Sequence, residues 1–498
     1  MEWRFILKNE VNGMHRLFYP RSIAVVGASP KKGKGWSSGN AYIQGSIRQG
    51  FSGRIYPVHP TADSILGYAA YRNVREIPGE VDLVVFTVPA TVALGVLDDC
   101  VAKGVKFAHF LTAGFTETGR PELADMEKHL AETARKGGIR VVGPNCMGLY
   151  CPDGGLSFND WLPTRSGRIS VFSQSGQLAT NLIREGSPQG LGFGKVISYG
   201  NAIDLKAVEY LDYFSRDDET DVIGAYIEGL QDGRAFFETA RGLHKPLVVW
   251  KGGRTEGGSR ATRSHTAAIA GSQDIWRAMC RQVGIVPVYS MNEFVYTLSA
   301  LQRLPLPAGL NVAVLGGAGG GSVTMTDAAE HAGLKVPELS PATISGLETF
   351  VPLEGSSPRN PLDILPALHS RKNLERIIDL LREDDRVDAL MFLLPLPFYY
   401  VEMGRSSFSR WVDLTIQVRE RLGKPILFVL EQDADPRGET IRKEVESWYL
   451  EADVATFPSF DLAARVLFKL KQYRDHLEAR LLESTELPPL GRPSSASR

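Results

Sequence analysis

Short runs of apolar, β-branched residues alternate along this 498-residue chain with longer stretches whose apolar positions recur every three or four residues. That alternation marks α/β units built on parallel sheets, whose strands are buried on both faces and read as continuous hydrophobic runs. In the first third the runs are SIAVVGAS (22–29), RIYPVHP (54–60), LVVFTVP (83–89), FAHFLTAG (107–114) and IRVVGPN (139–145). Each ends in Gly, Pro or small residues, as strands do where a sheet opens onto a ligand. The pattern restarts after 153–168, a stretch rich in Gly, Pro and Thr that suits a linker, with RISVFSQSG (168–176), KVISYGN (195–201), VIGAYIEG (222–229) and PLVVWKGG (246–253). It restarts again after 304–309 with NVAVLGGAGG (311–320), ALMFLLPLP (389–397) and PILFVLEQ (425–432). The expected architecture is α/β: three consecutive doubly wound domains over 1–150, 165–303 and 308–475. A Pro/Ser-rich tail over 485–498 is expected to be disordered.

Composition narrows the classes. The chain is 43% hydrophobic and 23% charged, so there is ample material for buried cores. Its formal net charge of -1 offers no general field for nucleic acid or an anionic membrane. Any anion site must be local. The four cysteines, Cys100, Cys146, Cys151 and Cys280, form no CxxC pair, which argues against a zinc module or disulfide scaffold. No metal site is expected. No segment reads as a signal peptide or as ~20 uncharged residues in a row, so a cytoplasmic location is expected.

Candidate chemistry gathers at the small-residue turns. Gly27, Ala28 and Ser29 end a strand, where backbone N–H groups could approach a phosphate. The turn is neither GxGxxG nor a Walker loop, and it also reads as a plain strand-to-helix turn. Ser173-Gln174-Ser175-Gly176 repeats the device in the second unit, as an anion site or as simple N-capping by serine. Residues 316–322, GGAGGGS, form a third such turn that could cradle phosphate or let a helix pack closely. His265 lies in Ser264-His265-Thr266, read as the junction of a Gly-rich loop with a helix start. A neutral imidazole there could attack phosphorus; a surface or capping histidine is the bland alternative. Glu228 ends an apolar run. It could orient an imidazole, or be a strand-end carboxylate in water.

Taken in order, these motifs resemble the α subunit of ADP-forming acetate–CoA ligases, within the succinyl-CoA synthetase superfamily. The resemblance spans about 15–470. It rests on LFYPRSIAVVGAS (17–29), GFTETG (114–119), GPNCMG (143–148), SQSG (173–176), GNAID (200–204), Glu228, Ser264-His265-Thr266 and NPLD (360–363). It implies a Rossmann-like CoA-binding domain followed by two flavodoxin-like ligase domains. It implies CoA contacts at Gly27, Ala28, Ser29, His59, Pro60, Val88, Pro89, Thr112, Ala113, Gly114 and Asn145, with His59 standing where Asn is usual. It implies that His265 carries phosphate, that Glu228 steadies the phosphohistidine, and that Ser173, Gln174, Ser175, Gly176, Ser264 and Thr266 hold the phosphate. Family members bind ATP/ADP and Mg2+ in an ATP-grasp domain for which this chain shows no candidate region. The resemblance therefore implies a separate ATP-grasp β subunit in an α2β2-type assembly.

Two rival readings stand beside this one. A CoA-binding regulatory or scaffold protein of the same fold would have no need of His265 or Glu228. An NAD-dependent oxidoreductase is suggested by architecture alone and lacks the dinucleotide fingerprint.

Overall fold

The computed structural model describes residues 13–30, 37–266, 272–352 and 354–486, without the side chains of 261, 263–266 and 483–486. It comprises two compact units, Met1–Val295 and Tyr296–Arg498.

The first unit holds two large sheets. In the first, β1 (Ser22–Val26), β2 (Arg54–Val58), β5 (Leu83–Phe86), β6 (Phe107–Phe110) and β7 (Arg140–Val142) are all parallel in the order β2-β1-β5-β6-β7. A small hairpin, β3 (Ser64–Ile65) with β4 (Tyr68–Ala69), interrupts the series. Val26 pairs with both Val58 and Phe86, so three strands end level. The helices Ala90–Lys103 and Pro121–Lys136 make crossovers, each ending at a glycine. Their inward faces, Leu97 and Leu130 among them, close on Val84, Phe86, Ala108 and Phe110. Phe86 and Phe110 stack with centroids 4.0 Å apart.

The second sheet is built from β8 (Leu149–Cys151), β9 (Leu156–Ser157), β10 (Ile169–Ser173), β11 (Phe193–Ser198), β12 (Val222–Ile227), β13 (Leu247–Lys251) and β14 (Val286–Val288). Its order is β14-β13-β12-β10-β11-β8-β9, with β8 antiparallel to β11 and β9 antiparallel to β8. The stretch 153–168 is therefore more than a linker, because β9 lies within it. β9 has only two residues and no readable alternation, which is why the sequence pattern passes over it.

The second unit is a parallel sheet of β15 (Val312–Leu315), β16 (Ala389–Leu393), β17 (Ile426–Val429) and β18 (Thr456–Phe457), in that order. Leu315, Leu362, Ile377, Leu390 and Phe428 are part of its core. The Asn360 amide behaves as a piece of extra strand. It accepts from Val314 N at 3.0 Å and donates to Val312 O at 2.8 Å and Pro337 O at 2.9 Å. The last helix runs Phe460–Glu486, two residues into the expected disordered tail; 487–498 lie outside the described residues. Among the described residues no helix is long and apolar enough to cross a membrane. No group of three His, Cys, Asp or Glu side chains among them could hold a metal ion. The four cysteines are buried and unbridged.

Candidate functional site

Every residue expected to meet CoA follows the carboxyl end of a first-sheet strand, where open α/β sheets bind ligands. Gly27 follows β1 with φ +98°, a left-handed conformation that favours glycine. A Cβ there would lie 2.7 Å from Thr87 Oγ1 and 2.8 Å from Thr87 O, so the β1 and β5 turns touch through a bare backbone. Ser29 N donates to Asn40 Oδ1 at 2.9 Å, and Asn40 Nδ2 returns a bond to Ser29 O at 3.0 Å. The helix Ser38–Arg48 is thereby held at the turn, its N-terminus capped by Ser37, whose side chain accepts from Asn40 N. Thr112 Oγ1 donates to Val88 O at 2.7 Å, and Asn145 N donates to Thr112 O at 2.9 Å. The turns after β5, β6 and β7 thus form one hydrogen-bonded rim carrying Val88, Pro89, Thr112, Ala113, Gly114 and Asn145. His59 follows β2 at the sheet edge. Its Nδ1 accepts from Thr61 N at 3.2 Å and Ala62 N at 3.1 Å, leaving the proton of the neutral ring on Nε2. The exposed Pro60 follows it.

The second sheet brings Gln174 and Glu228 together at the ends of β10 and β12. Gln174 Oε1 accepts from Glu228 N at 2.6 Å and Gly229 N at 3.0 Å. Ser175 caps the helix Gly176–Gly186, its Oγ accepting from Leu178 N at 3.3 Å, and Ser173 Oγ donates to Ser175 O at 2.7 Å. The serine-capping reading of the sequence therefore holds. It leaves the first-turn N–H groups of Gly176 and Gln177 at the helix start, where the helix dipole favours an anion. Glu228 is not a strand-end carboxylate in water: only 7% of it is exposed. Tyr226 O–H donates to its Oε1 at 3.3 Å, and burial, with the Glu228 charge adding to it, drives the Tyr226 phenol well above its ordinary range.

Lys251 is a further site residue, one that the sequence reading gave no role. Its Nζ donates to Glu228 O and Gly252 O, each at 2.6 Å, which locks the ends of β12 and β13 together. Burial lowers its pKa, with Glu228 pulling the other way. The signal was one lysine in the apolar run PLVVWKGG (246–253).

The histidine segment differs from expectation. Residues Glu256–Thr266 form a helix, so the Gly-rich stretch is not a loop, and His265 is the tenth residue of that helix rather than at its start. Gly257 and Gly258 suggested a loop, but Ser259, Arg260 and their neighbours complete the helical turns, with Thr255 Oγ1 accepting from Gly258 N at 3.0 Å. The side chains of Ser264, His265 and Thr266 lie outside the described residues. The helix packs against a single 3-10 turn, Thr116–Thr118, that follows the rim of the first sheet.

In the third turn, Gly319 N donates to Asp363 Oδ2 at 2.8 Å, and the helix Gly320–His331 begins directly after it.

Known proteins match this arrangement. The CoA binding domain family matches 21–152, and the succinyl-CoA ligase like flavodoxin domain family matches 166–301. Acetate–CoA ligase [ADP-forming] II of Archaeoglobus fulgidus is 38% identical over 427 residues, covering 84% of this chain and 61% of that protein. The α subunit of acetate–CoA ligase [ADP-forming] II of Pyrococcus furiosus is 36% identical over 415 residues, covering 82% of this chain and 88% of that one. The dinucleotide forming acetyl-coenzyme A synthetase 1 of Ca. Korarchaeum cryptofilum, solved with phosphate and ADP, superposes with a TM-score of 0.81 at 31% identity. That superposition covers 95% of this chain and 99% of the other. The chain belongs to the ADP-forming acetate–CoA ligase family. It spans 61% and 55% of the length of its two Archaeoglobus relatives.

Proposed function

We propose that the chain is the CoA-binding, phosphohistidine-carrying part of an ADP-forming acyl-CoA synthetase, with domains over 1–150, 165–303 and 308–475. The whole reaction converts a carboxylic acid, CoA and ATP reversibly into acyl-CoA, ADP and phosphate. In the acyl-CoA direction, an acyl phosphate gives up its carbonyl carbon to the CoA thiol. The C–S bond forms, the C–O bond to phosphate breaks and the thiol proton is lost. In reverse, phosphate attacks the thioester, CoA leaves as the thiol, and a nitrogen of His265 takes the phosphoryl group from the acyl phosphate, releasing the acid.

The observation that carries this reading is the buried Glu228 beside a helix N-terminus. The backbone of Glu228 is clamped by Gln174 and Lys251, and its carboxyl group is buried. A fixed carboxylate next to a helix start is what an imidazole needs to become cationic while carrying phosphate. The first-sheet rim supplies the CoA side, with the diphosphate near Gly27, Ala28 and Ser29. A regulator that only bound CoA would gain nothing from the Glu228 clamp.

ATP, ADP and Mg2+ are assigned to an ATP-grasp β subunit in an α2β2-type assembly. The Pyrococcus relative named as an α subunit, 88% of whose length is matched, supports a separate partner. The test uses the chain alone with [32P]acetyl phosphate. Base-stable, acid-labile label on His265, absent from His265→Ala, is the expected result. Equal labelling of the His265→Ala variant would overturn the assignment.

A further inference from the structure

Two motifs whose residues other than Gly114 have no role above, GFTETG (114–119) and GNAID (200–204), meet at one side chain. Asn201 Nδ2 donates one hydrogen to Glu117 Oε2 at 2.8 Å and the other to Glu127 Oε2 at 2.7 Å. Its Oδ1 accepts from Asn145 Nδ2 at 3.4 Å. An amide has two N–H groups and one carbonyl, so this one spends its whole donor capacity on two carboxylates.

Each partner reaches a different part of the site. Glu117 turns its other oxygen back onto the rim, accepting from Gly114 N at 2.6 Å and Phe115 N at 3.2 Å. Glu127 accepts from Thr116 Oγ1 at 2.6 Å. Asn201 itself stands in the turn after β11, in the second sheet. Its own N–H donates to Pro144 O at 3.0 Å, and Gln231 Nε2 donates to Ala202 O at 3.3 Å. Gly200 has φ +51°, and a Cβ on it would lie 2.1 Å from Pro144 O, so the two turns are in direct backbone contact. The 3-10 turn that Glu117 occupies is also the one against which the His265 helix packs.

We propose that the Glu117–Asn201–Glu127 junction is a positioning device that sets the 112–114 rim in register with the second sheet, and so sets the thiol end of CoA against the acyl phosphate. Glu117, Glu127 and Asn201 act through the rim backbone and are not catalytic residues. The inference rests on the ligase reading. Burial opposes the charge on Glu117, yet the bonds from Asn201 and the Gly114 backbone still hold its carboxyl below the ordinary range, as expected for a carboxylate whose acceptors are all engaged.

The polarity of the junction supplies its test. Glu117→Gln turns a donor toward the Asn201 amide. Asn201→Asp sets a third carboxylate against two. The double variant E117Q/N201D restores one bond with its polarity reversed. Two half-reactions are run on the chain alone, following label on His265: [32P]acetyl phosphate without CoA, and acetyl-CoA with [32P]phosphate. Loss of register between reacting groups costs roughly 10- to 100-fold. Both single variants should therefore slow the acetyl-CoA route about tenfold or more in its maximal labelling rate, with a smaller change in the acetyl-CoA concentration that half-saturates it. They should leave the acetyl phosphate route within about twofold, and E117Q/N201D should regain part of the loss relative to N201D. Equal loss in both routes in folded variants, or no loss in either, would overturn the junction. If the unsubstituted chain takes label from neither source, the ligase reading falls and this inference falls with it.

Discussion

At the scale of single residues, burial decides what a titratable group can do. His109, in the middle of β6, is fully buried with its ring 5.8 Å from that of Tyr42. Burial pushes its pKa from 6.5 down to about 4, with a backbone bond near Cys146 working the other way. Between those values the unfolded chain binds a proton that the folded chain refuses, so stability rises with pH across that window. The contribution is intact above about pH 6.5 and is lost as the pH falls toward 4; by pH 5 the loss is roughly 2 kcal/mol. His109→Phe keeps a ring and removes the proton site. The variant is expected to lose less melting temperature than the parent between pH 7 and 5, measured by calorimetry. Parallel pH profiles would show that His109 does not control the acid limb. The lysine at position 251 shows the limit of sequence reading at this scale. A single charge in an apolar run is visible, but only the fold reveals that its ammonium ties the ends of β12 and β13 together.

At the scale of elements, strands and turns were more legible than helices poor in apolar residues. All twelve apolar runs named from the sequence contain strands, because buried parallel strands are continuous hydrophobic segments. The strands that were missed, β3, β4, β8, β9, β14 and β18, have two or three residues and belong to no longer apolar run. The helix Glu256–Thr266 was missed for the opposite reason: with Gly257, Gly258 and several polar residues it has no apolar stripe. The turn after β1 was legible as a possible phosphate turn, and its geometry yields a sharp expectation. At φ +98°, and with Thr87 as close as it is, Gly27→Ala must shift the β1 and β5 turns apart. The expected result is a rise of about tenfold or more in the Kd for CoA by calorimetric titration, with the second unit's unfolding unchanged. Unaltered affinity would move the diphosphate away from this turn.

At the scale of the whole molecule, the candidate site was legible as a list of residues, but its assembly was not. The sequence carries the order of the motifs, whereas contact between GFTETG and GNAID depends on two sheets meeting 84 residues apart in the chain, from Glu117 to Asn201. If ATP is handled by an ATP-grasp partner, the proposed chemistry lets the chain alone take a phosphoryl group onto His265 from acyl phosphate, or from inorganic phosphate by way of acyl-CoA, but not from ATP. Incubated with [γ-32P]ATP and Mg2+, it should take up no label above that of His265→Ala. With acetyl-CoA and [32P]phosphate, under the same conditions, it should become labelled. Adding an ATP-grasp β subunit of the family should open the ATP route while leaving the acetyl-CoA route in place. Label from ATP on the isolated chain would show that a nucleotide site lies within these 498 residues, and the two-subunit reading would be replaced by a self-sufficient one.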